Sequence, residues 1–149
     1  MTRSELIQTA CERLISHFAM LNQCEETGGY GFHTRIFSHY LHPEKRFVYA
    51  GRSRDVEAGA RQRLEHVVPC AVLISESNRL IGEGKLPHSE IAKLLAKHWK
   101  VAHISKREQQ HMDYELGMKS QMPRDWTFEH GDAMARLNEA GISLVPDQC

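Results

Sequence analysis

The chain has 149 residues, 41% apolar and 26% charged, with 19 basic and 19 acidic side chains and therefore no formal net charge. That length makes about one domain burying roughly two thirds of its unfolded surface, so folding needs no disulfide or metal staple. Zero net charge excludes a global field that would draw the protein onto nucleic acid, and any basic surface has to be local.

The cysteines, Cys11, Cys24, Cys70 and Cys149, contain no CxxC pair. This disfavours a zinc ribbon or a thioredoxin-like redox centre and fits reduced thiols in a cytosol. The segment from Met1 to Thr9 lacks the apolar core of a signal peptide, and no run approaches about 18 apolar residues. The expected location is cytoplasmic, with no membrane partner.

From about residue 4 to residue 21, Ile7, Ala10, Cys11, Leu14, Ile15, Phe18 and Leu21 recur at helical spacing and predict an amphipathic helix capped by Ser4. Its apolar stripe can pack on the core or against its copy in a homodimer; burial in the core is the more common fate. A loop is expected at Thr27, Gly28 and Gly29. The following stretch carries His33, His39 and His42 among Phe32, Ile36, Phe37 and Tyr40. The histidine spacings lack a partner cysteine or carboxylate in a zinc pattern, so aromatic packing with exposed histidines is expected. Phe47, Val48 and Tyr49 predict a short strand leading into a turn at Gly51.

Between Arg46 and Arg63, five arginines (46, 52, 54, 61 and 63) face two acids, Asp55 and Glu57. Arginine's planar fork binds phosphate oxygens in pairs, so Arg52, Arg54, Arg61 and Arg63 are candidate nucleic-acid contacts; the alternative is a solvated charged turn. Next come Glu65, His66, Val67, Val68 and Pro69. A carboxylate followed by an imidazole at a strand end offers a metal ligand and a general base together. Neighbours on a strand point to opposite faces, so the two share a site only where the strand bends or stops, and Pro69 marks such a stop.

Cys70 to Ile81 reads as a short helix ending at Gly82 and Gly84, and a second helix begins near Pro87 with Ile91, Leu94 and Leu95 on one face. Together they look like an insertion. A weak strand from Trp99 to Ile104 runs into Ser105, Lys106, Arg107, Glu108, a capping box that starts a helix lasting to about Gly117. His111 lies in its second turn, with Glu108 and Glu115 three residues before and four after it. The tail is a loop with Met122, Pro123 and Trp126, a helix from about Asp132 to Ala140, and Ile142 to Val145 against Pro146. Trp126, Phe128, Met134 and Leu137 are expected to supply core or a lid over it.

The strand ending at Glu65–His66–Val67–Val68–Pro69, taken with the strand and helix from Val101 to His111, resembles the His-Me finger, or HNH, nuclease superfamily. The resemblance implies an α+β, mostly helical single domain over residues 1–149, built around a small ββα metal-binding core. That core would span about 46–117, with the helical insertion at about 70–98, the N-terminal helix at about 4–21 and the C-terminal helix and tail at 118–149. It further implies a metal-dependent endonuclease in which His66 is the general base and Glu65 and His111 hold one divalent ion, Mg2+ or Mn2+ ahead of Zn2+. The substrate would be nucleic acid, DNA ahead of RNA. The asparagine that often fixes the base has no clear equivalent, Asn78 and His103 being the candidates. The competing expectation is a non-catalytic cytosolic or phage-encoded binding or inhibitor protein on the same scaffold.

Overall fold

In the computed structural model, which describes residues 1–24 and 34–146, the apolar stripe forms helix α1 (Arg3–Gln23). The cap is Thr2 rather than Ser4: the Thr2 hydroxyl accepts from the Glu5 N–H and the Glu5 carboxylate accepts from the Thr2 N–H. This reciprocal arrangement satisfies two donors that the helix start leaves free. Ile7, Ala10, Cys11, Leu14, Ile15 and Phe18 are buried against α5 (Cys70–Glu83) and α6 (His88–His98). The stripe from Ile7 to Phe18 therefore packs within the chain. The loop expected at Thr27 to Gly29, with Phe32, His33 and Cys149, lies outside the described residues.

After α2 (Ile36–Tyr40), the expected strand at Phe47 to Tyr49 is instead a helical turn, α3 (Lys45–Val48). The N–H groups of Phe47 and Val48 both donate to the Glu44 carbonyl, and only Tyr49 begins β1 (Tyr49–Ser53). The short α4 (Arg54–Glu57), capped by Ser53, leads to β2 (Gln62–His66). With β3 (Val101–Ser105) and β4 (Leu144–Val145) these make a four-stranded sheet in the order β2-β3-β1-β4. β3 pairs antiparallel with β2 and parallel with β1, while β4 runs antiparallel along the far side of β1. Gly51, at φ +129°, lets that last pair close up, because a Cβ there would sit 2.4 Å from the Val145 carbonyl oxygen.

The two helices expected between the strands are α5 and α6, and Gly84 ends α5 in the left-handed conformation at φ +66°. The capping box at Ser105 and Glu108 forms as the pattern predicts. The helix it starts is not uniform: α7 (Lys106–Gln110) passes into a π-helical turn (His111–Glu115). The tail helix, α8 (Ala135–Glu139), begins later than expected because Asp132 turns its side chain back onto the Met134 N–H. Phe128 and Leu137 join Trp99, Phe37, Val101, Ile104 and Met112 in the core, with Trp126 and Met134 packed on its edge. The architecture is α+β and mostly helical, and β3 of the sheet is largely buried. Among the described residues no helix is long and apolar enough to cross a membrane.

Candidate active site

β2 is an edge strand whose last two residues, Glu65 and His66, pair with Ala102 and Val101. The strand stops there. Val67 donates to the Lys100 carbonyl, Val67 and Val68 are buried, and Pro69 turns the chain into α5. That stop lets two sequence neighbours line one cleft of about 310 Å3, together with Arg35, Ser38, Cys70 and Lys119.

His66 is held from behind. Its Nε2 lies 2.7 Å from Glu44 Oε2, the same oxygen that accepts from Trp99 Nε1 at 2.7 Å. Glu44 is buried and His66 keeps a quarter of its side chain exposed toward the cleft. Burial by itself would lower the imidazole's pKa, but hydrogen bonding with Cys70 and Glu44 outweighs it and pushes the group up to about 10. The residue orienting His66 is thus Glu44, and neither candidate named from the sequence does so. Asn78 accepts from Asn22, and His103 Nδ1 lies 2.8 Å from the Tyr49 hydroxyl.

Glu65 faces a different partner. Its carboxylate lies 3.6 Å from Nη2 of Arg136, a fully buried guanidinium whose Nη1 is 3.7 Å from Asp113 Oδ1. Arg136 also donates to the backbone carbonyls of His66 (2.5 Å), Met118 (2.8 Å) and Val67 (3.4 Å). One cation therefore ties the end of β2 to the π-helical turn and to Met118. Burial raises the Glu65 pKa, and the Arg136 charge offsets this only in part.

His111 does not line the cleft. Residues two apart on a helix do not share a face, and it is Asp113 that turns inward, so His111 points out and bonds Glu115 at 2.6 Å with 41% of its side chain exposed. The expected Glu115 partnership is present. Glu108 instead accepts from the Ser53 hydroxyl at 2.6 Å and the Ser105 N–H at 2.8 Å. Among the described residues no three His, Cys, Asp or Glu side chains converge. Glu65 shares the Arg136 guanidinium with Asp113.

Of the four candidate phosphate contacts, Arg54, Arg61 and Arg63 are exposed, whereas Arg52 is ion-paired with Glu57. The other acid of that segment, Asp55, is taken by Arg107 and by the Ser105 hydroxyl. Arg61 and Arg63 lie at the start of β2, whose other end borders the cleft, and Arg54 opens α4.

Three residues that shape this site carried no signal in the sequence reading. Glu44 lies before the arginine-rich segment that begins at Arg46, Arg136 is a single cation in a tail helix, and Cys70 is one of several scattered thiols. Comparison with protein-family models, with curated proteins and with solved structures finds no match for this chain.

Proposed function

We propose that the chain is an endonuclease that hydrolyses phosphodiester bonds, with His66 transferring the proton. The observation that carries this reading is the His66–Glu44 pair at a cleft lined by two cations, Arg35 and Lys119. Support also comes from the order of elements, an antiparallel strand pair followed by a helix, with Glu65 and His66 at the end of the first strand.

The chemistry follows from the atoms. A carboxylate only accepts, so Nε2 carries the proton shared with Glu44 and Nδ1 is the basic nitrogen. In the ring's neutral form, Nδ1 removes a proton from water as the water oxygen attacks phosphorus and the bond to the leaving oxygen breaks, and the imidazolium then gives that proton to the leaving oxygen. Arg35 and Lys119 neutralise the charge that builds on the phosphate, and Glu44 steadies the imidazolium. Arg54, Arg61 and Arg63 hold the flanking backbone.

The test is nicking of supercoiled plasmid by the parent and by His66→Ala. General-base catalysis is typically worth about 10² to 10⁴ in rate, so the variant should lose nearly all cleavage while keeping a cooperative thermal transition. Equal cleavage by the two proteins rejects the reading. A chain that binds DNA in a salt-dependent way but never cuts it is the non-catalytic binding protein instead.

A further inference from the structure

The cleft holds a nucleophile that phosphodiester hydrolysis does not use. Cys70 is the first residue of α5, a helix of fourteen residues, and its thiol is partly exposed within the cleft that His66 also lines. The residue before it, Pro69, offers no side-chain cap, and the N–H groups of Val72 and Leu73 turn back onto the Pro69 carbonyl. The N–H groups of Cys70 and Ala71 are left at the positive end of the helix, beside the sulfur. Behind His66 stands Glu44, itself fixed by Trp99. The contrast with Cys11 is instructive: that thiol is fully buried, and burial pushes its pKa up to about 12.

We propose that Cys70, His66 and Glu44 form a thiol-based acyl-transfer centre for amides or esters that carry a negative charge. Cys70 and His66 are its catalytic residues and Glu44 is a positioning residue. In the ring's neutral form, which increases as the pH rises toward 10, His66 Nδ1 takes the Sγ proton while the sulfur attacks the acyl carbon, and the carbonyl π electrons move to oxygen, which the Cys70 and Ala71 N–H groups receive. The oxyanion then collapses and the bond to the amine or alcohol breaks, with the proton on His66 going to the leaving group. Water, deprotonated by His66, attacks the thioester, releases the carboxylic acid and returns the proton to sulfur. Arg35 and Lys119, on the same cleft, select substrates with a carboxylate or phosphate near the acyl group. This centre shares His66 with the nuclease reading but needs no nucleic acid, so either can fail without the other.

The experiment uses the full chain, reduced, with a p-nitrophenyl ester bearing a free carboxylate. Nitrophenolate release is followed by absorbance, and the acyl group is located by peptide mass spectrometry. One acyl group per chain is expected on Cys70, with Cys24, an exposed thiol, unmodified. Cys70→Ser and His66→Ala should each lose the reaction by about a hundredfold or more. Glu44→Gln should lower the rate of acylation at an unchanged KM, and Glu44→Asp should restore part of it, a split that simple loss of packing would not produce. A neutral ester should react at least tenfold more slowly.

Acylation of Cys24 as fast as of Cys70, or parental acylation in His66→Ala, overturns the centre. Equal rates on charged and neutral esters overturn the assigned substrate class. Should either substitution prevent folding, the parent chain still decides: iodoacetamide at neutral pH must modify native Cys70 at least tenfold faster than Cys24, and equal rates reject the proposal.

Discussion

The Arg136 guanidinium, fully buried, lies 3.6 Å from the Glu65 carboxylate and donates to the backbone carbonyl of the very next residue, His66. One side chain therefore compensates the acidic member of the strand end and fixes the backbone of the basic one. Such a cation is costly to bury and is held only by the groups that surround it. Arg136→Met should leave Glu65 and Asp113 facing each other without a counter-charge and should destabilise the chain by about 3 to 5 kcal/mol. Urea unfolding monitored by far-ultraviolet circular dichroism checks this. A loss below about 1 kcal/mol, the range of an ordinary surface ion pair, would mean that the network does not hold the strand end.

The pKa of His66 sets a pH dependence with a definite sign. The folded chain binds the imidazole's proton more tightly than the unfolded chain, with a value near 10 against 6.5. The stabilisation is fully present below about pH 6.5 and is lost as the pH rises through about 10. The thermal midpoint of the parent should fall toward that of His66→Gln across this window. If the difference between the two proteins does not change with pH, the hydrogen bonds to Glu44 and Cys70 are not holding the proton. For nuclease activity the same value predicts that the neutral, proton-accepting form increases with pH, so nicking should climb through the alkaline range rather than plateau at neutrality.

The sequence made some of this visible because local rules govern those parts. The stripe from Ile7 to Phe18, the capping box at Ser105 and Glu108, and the left-handed glycine after α5 each depend on residues within a turn or two of one another. The end of β2 was also readable, since Pro69 must interrupt a ladder. The arrangement around His66 depends instead on sequence-distant partners. Glu44 and Arg136 reach it from 22 and 70 positions away, and neither composition nor periodicity encodes such meetings. Phe47 and Val48 show the opposite failure: strand-forming side chains were overridden by a backbone that bonds back to Glu44. His111 lies on the helix that the capping box predicts, but the inner face of that helix is occupied by Met112 and Asp113.

The exposed arginines make a separate prediction. Each phosphate contact on duplex DNA adds a slope of about −0.9 to the dependence of log affinity on log salt. Single substitutions Arg54→Ala, Arg61→Ala and Arg63→Ala should each flatten the slope by about that amount, measured by fluorescence anisotropy at several salt concentrations. Arg52 is engaged with Glu57, so Arg52→Ala should change the slope less. If all four substitutions leave the slope unaltered, the segment is a solvated charged turn and the phosphates are bound elsewhere.

His111 separates a site built on the cleft from one built on the helix. Its ring bonds Glu115 at the surface, and the residue takes no part in lining the cleft. A surface pair four residues apart on a helix is worth about 0.3 to 0.5 kcal/mol, so His111→Ala should shift the thermal midpoint little. It should also leave plasmid nicking at the parental rate, with or without added Mn2+, whereas His66→Ala abolishes it. Were His111→Ala to abolish nicking, and with it a Mn2+ binding isotherm present in the parent, the inward faces of Glu65 and Asp113 would have to open away from Arg136. The carboxylates and the imidazole would then meet on a metal ion in a conformation different from the one described here.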